Sequence, residues 1–230
     1  MKRKAFTTAF PYTLPVFMGY LFLGIAFGVL LSSKGFHVGW ALLMSVTIYA
    51  GAMQFVAIGL LIGPFGLLNA FVVTLTVNAR HLFYGLSVLE KFKEGGKFKP
   101  YLIFSLTDET YSLLCSIEPP QSVNRIWFMF FIAVLNHSYW VLGSVIGAIA
   151  GSLITFDSTG IDFAMTALFI VIFVEQWEST KQHLPALLGV GISIIGLLFF
   201  GPEHFIIFAM IGILASLLLL HRKMVRRSRI

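Results

Sequence analysis

Long apolar runs alternate with short polar breaks along this chain. Eight runs stand out, near residues 11–32, 38–62, 65–89, 100–117, 125–151, 161–177, 185–200 and 204–221. Most approach or exceed the ~20 residues that a helix needs to cross the hydrocarbon core of a bilayer. Pro64, Pro100, Pro119, Pro120, Pro185 and Pro202 stand between the runs or at their first residues. Proline there starts or ends a helix without removing interior hydrogen bonds. The period-two alternation of a membrane β-barrel is missing from the runs. The pattern therefore predicts an all-α polytopic membrane protein of about seven or eight segments, one integral membrane domain over residues 1–230.

Composition excludes the soluble alternatives. The chain is 58% hydrophobic and 11% charged, with mean hydropathy +0.90. A soluble domain carries about 25% charged residues because its surface must face water. A soluble enzyme, a nucleic-acid binder and a disordered chain are all excluded on this ground. The net charge of +6 comes from clusters outside the runs: Lys2, Arg3 and Lys4; Lys91, Lys93, Lys97 and Lys99; and Arg222, Lys223, Arg226, Arg227 and Arg229. Such clusters orient membrane proteins and touch anionic lipid heads of the bilayer. The first run is too long for a signal-peptide core and lacks a small-residue cleavage site, so it reads as a retained span. The single cysteine, Cys115, reads as a small buried apolar residue.

Charge also bears on topology. Eight crossings from an inside N-terminus would place the lysine-rich loop 91–99 outside, against the positive-inside tendency. One repair is a re-entrant or broken segment in each half. Segments three and seven are the candidates, three as the most polar and seven as among the shortest. Eight plain crossings stay open, because the loop also carries Glu90 and Glu94. Glycines recur every four residues at Gly24 and Gly28, at Gly59 and Gly63, and at Gly143, Gly147 and Gly151, a spacing that lets helix backbones approach closely in lipid. Asn78 with Gly85 and Asn136 with Gly143 share one spacing, the trace of an inverted repeat or a chance match.

A charge at membrane depth costs about 2.5–3.5 kcal/mol on insertion scales, so polar residues inside the runs carry the functional information. Arg80 is the one basic residue well inside a run; the acids are Asp108 and Glu109, with Glu175 near the end of the sixth. On a helix, Asn78, His81 and Gly85 share a face, and Arg80 and Tyr84 lie on an adjacent one. Arg80 reads either as the contact for an anionic substrate group or as the ion-pair partner of Asp108 or Glu109. The adjacent carboxyls point to different faces. One reads as a proton carrier; the alternative is an ion pair for one and a helix end for the other. Gly51 and Gln54 sit in Tyr49-Ala-Gly-Ala-Met-Gln-Phe55, where backbone can open toward a zwitterion or where helices pack tightly. Asn136 and His137 lie in segment five; His137 with His81 reads as a proton relay or as packing. Glu175-Gln-Trp-Glu178 reads as a solvated helix end with an interfacial tryptophan. No zinc-ligand spacing occurs, and Gly95-Gly96-Lys97 is followed by Phe98, so no metal site and no P-loop are expected.

Taken in order, Tyr49-Ala-Gly-Ala-Met-Gln-Phe55, Asn78-Ala-Arg-His-Leu-Phe-Tyr-Gly85, Thr107-Asp-Glu-Thr110 and Asn136-His137 resemble the AzlC family, the large subunits of bacterial branched-chain amino acid exporters. The resemblance spans essentially the whole chain. It implies a multi-pass permease of the bacterial cytoplasmic membrane, with a small, separately encoded membrane partner of the AzlD type. It also implies export of valine, leucine or isoleucine, with methionine as a further candidate, driven by the proton motive force and without an ATPase subunit. The candidates for substrate binding or proton coupling are Gly51, Gln54, Asn78, Arg80, His81, Tyr84, Asp108, Glu109, Asn136 and His137. Arg80 would take a zwitterion's carboxylate, and Asp108 or Glu109 its ammonium. No catalytic residue or cofactor is expected, since no nucleophile–base pair is visible and the protein reads as something other than an enzyme. Two readings compete: a channel-type solute pore and a non-transporting scaffold subunit.

Overall fold

The computed structural model describes residues 2–64, 66–93, 95–153 and 183–227, with positions 170, 173, 174, 177 and 178. At some helical positions, Arg80 among them, only the backbone is described. The regular elements among these residues are all helical: α1 (Lys2–Ser33), α2 (Val38–Thr47), α3 (Gly51–Ile62), α4 (Leu67–Ser87), α5 (Lys99–Phe104), α6 (Asp108–Ser116), α7 (Arg125–Leu153) and α8 (Leu184–Arg227), with one 3-10 turn at Gly96–Phe98. The chain divides into two units, Met1–Met165 and Thr166–Ile230.

The first unit is built on α1 and α7, which run parallel and pack along their whole length. Lys2 Nζ lies 4.6 Å from the Trp127 ring at one end. Phe6 meets Phe131 at 5.4 Å, Phe17 meets Tyr139 at 4.9 Å and Tyr20 meets Trp140 at 5.5 Å. Beyond Tyr20, glycines let the two backbones approach closely. A Cβ added at Gly143 would come within 2.8 Å of the Leu21 carbonyl oxygen, and one at Gly24 within 3.0 Å of the Ser144 nitrogen. At Gly28 and Gly147 an added Cβ would collide outright with the opposing backbone. Two of the three glycine repeats thus face each other. The third does not take part: Gly59 has open space around it, and Gly63 ends α3.

The second and fourth apolar runs do not cross. α2 begins just after α1 ends, and the chain breaks at Ile48–Ala50, with Tyr49 in the left-handed region at φ 44°. α3 then turns back. Gln54 Nε2 donates to Ser45 Oγ at 3.2 Å across the break, which a straight continuation would hold apart. Phe55 meets Phe27, beyond Tyr20 on α1, at 5.6 Å. α5 and α6 make a second hairpin from the opposite end. α5 starts beside the first turn of α7, with Phe98 and Trp127 rings 4.7 Å apart, and breaks at Ser105–Thr107. α6 returns to the same end, where Lys91 Nζ reaches the Leu114 carbonyl at 2.9 Å and Glu118 lies 3.6 Å from Arg125. Leu102, Leu106 and Leu114 pack there with Ala5, Ala9, Phe92 and Phe128.

These contacts correct one expectation. The interrupted segments are two and four, not three and seven: α4 runs unbroken over Leu67–Ser87, and α8 holds its helix to Gly201. With one re-entrant hairpin between α1 and α4, the loop 91–99 falls at the same end as Lys2. Among the described residues, Lys2–Ser33, Arg125–Leu153 and Leu184–Gly201 are the helices long and apolar enough to cross a membrane.

In the second unit, α8 folds back at Gly201 (φ 70°, ψ 172°). Gly196 sits under Ala209, Gly212 meets Ile192, and the Phe200 and Phe208 rings stack at 3.8 Å. The two arms match predicted segments seven and eight. Trp177 stacks on His183 at 4.0 Å, and Glu178 is exposed. Segment six and Glu175 fall outside the described residues, apart from the isolated positions named above.

Candidate functional site

The two hairpin tips meet partway along α1 and α7, and polar side chains collect there. Thr107 caps α6: its hydroxyl accepts from Thr110 N at 3.3 Å. The same hydroxyl donates to Thr110 Oγ1 at 3.0 Å, and Asn136 Nδ2 donates to Thr110 Oγ1 at 3.0 Å. Tyr20 from α1 completes the group, 2.5 Å from Thr107 Oγ1 and donating to Glu109 Oε2 at 2.6 Å. Asp108 and Glu109 both lie in the first turn of α6, where the positive end of the helix dipole favours carboxylates. Both acids thus sit at a helix end, and Glu109 has a tyrosine as partner. Glu109 keeps an exposed face and Asp108 is half-buried.

The first hairpin is tied to the same stretch of α7. Trp140 Nε1 donates to Gln54 Oε1 at 2.8 Å, and Gln54 is fully buried. An added Cβ at Gly51 would lie 3.0 Å from the Trp140 ring, so glycine at the start of α3 admits the indole. His137 joins both hairpins. Its Nε2 pairs with the Ser45 carbonyl at 3.1 Å, and its Nδ1 with the Tyr101 hydroxyl at 2.9 Å. A carbonyl can only accept, so Nε2 carries the hydrogen; in the neutral ring Nδ1 then accepts from Tyr101. The imidazole also stacks on Tyr49 at 4.1 Å. Ala50 caps α3 without a side-chain hydrogen bond, so the cap residue satisfies none of the first-turn N–H groups through its side chain.

Asn136 Oδ1 is buried without a hydrogen-bond partner among the described residues, and the Tyr49 hydroxyl is buried beside Thr110 and Tyr20. Tyr49 is 3% exposed and Asn136 0%.

Of the ten sequence candidates, Gly51, Gln54, Glu109, Asn136 and His137 converge, with Asp108 beside them. Asn78, His81 and Tyr84 sit apart on α4. His81 Nδ1 pairs with the Asn78 carbonyl at 3.2 Å, and Tyr84 stacks on Tyr111 of α6 at 4.5 Å. The Arg80 side chain, with both of its readings, lies outside the described residues. His81 lies on α4 and His137 on α7. Sequence reasoning did not select Tyr20, Ser45, Tyr49, Thr107, Thr110 or Trp140. Tyr20 had a readable signal, a hydroxyl inside an apolar run, and Thr107 another, a capping threonine before two acids. Among the described residues no cluster of histidine, cysteine and carboxylate groups could hold a metal ion.

Residues 15–154, which cover both hairpins and the α1–α7 pair, match the family model described as AzlC protein. The chain is 51% identical over 218 residues to the branched-chain amino acid transport protein AzlC of Bacillus subtilis (strain 168), covering 95% of this chain and 86% of that one. It is 46% identical to an uncharacterized membrane protein of Helicobacter pylori (strain J99), with 96% and 97% covered. It is 31% identical to the inner membrane protein YgaZ of Escherichia coli (strain K12), with 75% and 73% covered. No solved structure matches the chain. A model match over most of the first unit, and half of all residues shared with a named member along nearly the full length, lead to one conclusion: this multi-pass membrane protein belongs to the AzlC family.

Proposed function

We propose that this chain is the large subunit of a two-component secondary exporter of branched-chain amino acids in a bacterial cytoplasmic membrane. The observation that carries the reading is the 51% identity to the Bacillus subtilis protein named for that transport. The substrates are valine, leucine and isoleucine, with methionine as a further candidate. A small membrane protein of the AzlD type completes the exporter, and the proton motive force drives it.

The chemistry of the hairpin tips supports the reading. A zwitterion needs a positive group for its carboxylate and acceptors for its ammonium. The uncapped start of α3 offers backbone N–H groups and a positive dipole end. The start of α6 is already capped by Thr107 and carries Asp108 and Glu109, which suits a cation. Phe27, Phe55 and Trp140 line the same region and suit an aliphatic side chain. Glu109, bonded to Tyr20 and partly exposed, is the candidate proton carrier. Binding and release need no covalent step, so the reading is transport without catalysis.

The test is efflux. Exporter-deficient bacteria expressing the chain, with and without its small partner, are loaded with dipeptides of valine, leucine, isoleucine or methionine. Partner-dependent, uncoupler-sensitive release of the free amino acid is expected. Release equal to that of empty cells, with both proteins present in the membrane, rules the function out.

A further inference from the structure

The cations at the Lys2 end of the first unit differ in what faces them. Glu118 lies 3.8 Å from Lys91 and 3.6 Å from Arg125, and Glu90 lies 3.7 Å from Lys93. Lys2, Lys97 and Lys99 form no ion pair among the described residues. The fold gathers these three around one ring. Lys2 Nζ stands 4.6 Å over Trp127, and Phe98, which separates Lys97 from Lys99 in the chain, meets the same indole at 4.7 Å. Like charges held together repel, and a negative group among them relieves the repulsion.

The surface next to these cations is apolar and open. Lys2, Phe6 and Phe10 follow at steps of four residues, so they form one stripe of α1. Ala5 and Ala9 pack inward in the cluster that holds Leu102 and Phe128, while Phe6 and Phe10 are 39% and 40% exposed. Phe6 contacts Phe10 at 6.2 Å and Phe131 of α7 at 5.4 Å, and Phe131 stands one turn from Trp127, 5.7 Å away. At 1.5 Å per residue, Phe6 and Phe10 lie about 6 and 12 Å farther along the helix than Lys2, on the membrane side. Cations at head-group level with aromatic rings beneath them have the order of an anionic phospholipid, charge first and chain below. A free phosphate ester would use the cations alone.

We propose that this corner of the first unit is a binding site for an anionic phospholipid: Lys2, Lys97 and Lys99 hold the phosphate, and an acyl chain lies along Phe6 and Phe10. The site is separate from the hairpin tips and does not depend on what the protein transports.

The experiment places the purified full-length protein in phosphatidylcholine vesicles and titrates in phosphatidylglycerol or phosphatidylcholine with brominated chains, which quench tryptophan on contact. The Trp127 signal is the difference between native protein and Trp127→Phe. Brominated phosphatidylglycerol is expected to quench it at a mole fraction at least fivefold lower than brominated phosphatidylcholine. Lys2→Gln and Lys97→Gln are each expected to reduce that preference about fivefold, the equivalent of one cation near the membrane surface. Lys93→Gln, which removes a lysine already facing Glu90, is expected to change it less than twofold. Glycerol 3-phosphate, a head group without chains, is expected to leave the quenching unchanged. Equal quenching by the two lipids overturns the site. An equal loss in Lys93→Gln and Lys97→Gln does so too, because it reports diffuse surface charge. Relief of quenching by glycerol 3-phosphate assigns the cations to a soluble phosphate ester instead, and no quenching of Trp127 by either lipid gives this face to a protein partner; both refute the proposal.

Discussion

Gln54 shows how tightly single residues are committed at the hairpin tips. It accepts from the Trp140 indole and donates to the Ser45 hydroxyl, with no exposure of its own. Gln54→Leu strands the indole N–H in an apolar setting, and a loss of about 1–3 kcal/mol is expected. Gln54→Glu keeps the acceptor for Trp140 and is expected to cost less at pH values where the carboxyl is neutral. Thermal unfolding of the solubilised protein, followed by tryptophan fluorescence, checks both; equal midpoints for Gln54→Leu and native would exclude this role. Gln54 was readable in the sequence because an amide inside an apolar run has few places to go. Tyr49 was not, since the break it makes lies in a backbone angle that no pattern of residue types encodes.

The helical elements were legible where long runs meet long helices. Segments one, three and five correspond to α1, α4 and α7, though α1 begins at Lys2, nine residues before the predicted start, and carries Pro11 and Pro15 inside. The hairpins were not legible as hairpins. A 25-residue apolar run looks the same whether it crosses once or enters and returns, and the first break, Ile48-Tyr49-Ala50, contains neither glycine nor proline. The second break did carry a mark, Thr107 ahead of Asp108 and Glu109, which is the start of a helix rather than its middle. Glycine spacing named the right stripes but not their partners. The pairing of Gly28 with the Ser144–Ala148 backbone, and of Gly147 with Ile25, predicts a steep response to added bulk. Gly147→Leu must push α1 and α7 apart and is expected to lower stability by on the order of 3 kcal/mol or more. Gly59→Leu, into open space, is expected to be close to neutral. A similar cost at both positions, measured by the same unfolding assay, would contradict the pairing.

On the scale of the first unit, charge and shape agree. Lys2 at the start of α1, Arg125 at the start of α7 and the loop from Lys91 to Lys99 occupy one end. All then obey the positive-inside tendency together, which eight plain crossings would not allow. Cysteine labelling in intact cells checks this, with Cys115→Ser as background, since Cys115 is exposed rather than buried as the sequence suggested. Lys4→Cys and Lys97→Cys are expected to react only from the cytoplasmic side, and Gly35→Cys only from outside. Reaction at Lys97→Cys from outside would return the loop to the opposite face and dismiss the first hairpin. The contact between α1 and α7 also has a meaning in time. Thr13 bonds to Tyr139, 126 residues later. At ~5–20 residues per second of synthesis, α1 waits roughly 6–25 s for the helix that covers its glycine stripe. Both hairpins emerge during that interval, and Gln54 and Thr110 have their α7 partners only at its end. Biogenesis of this protein is therefore a matter of custody: until α7 leaves the ribosome, the translocon or an insertion chaperone must shelter two polar hairpin tips that lipid cannot satisfy.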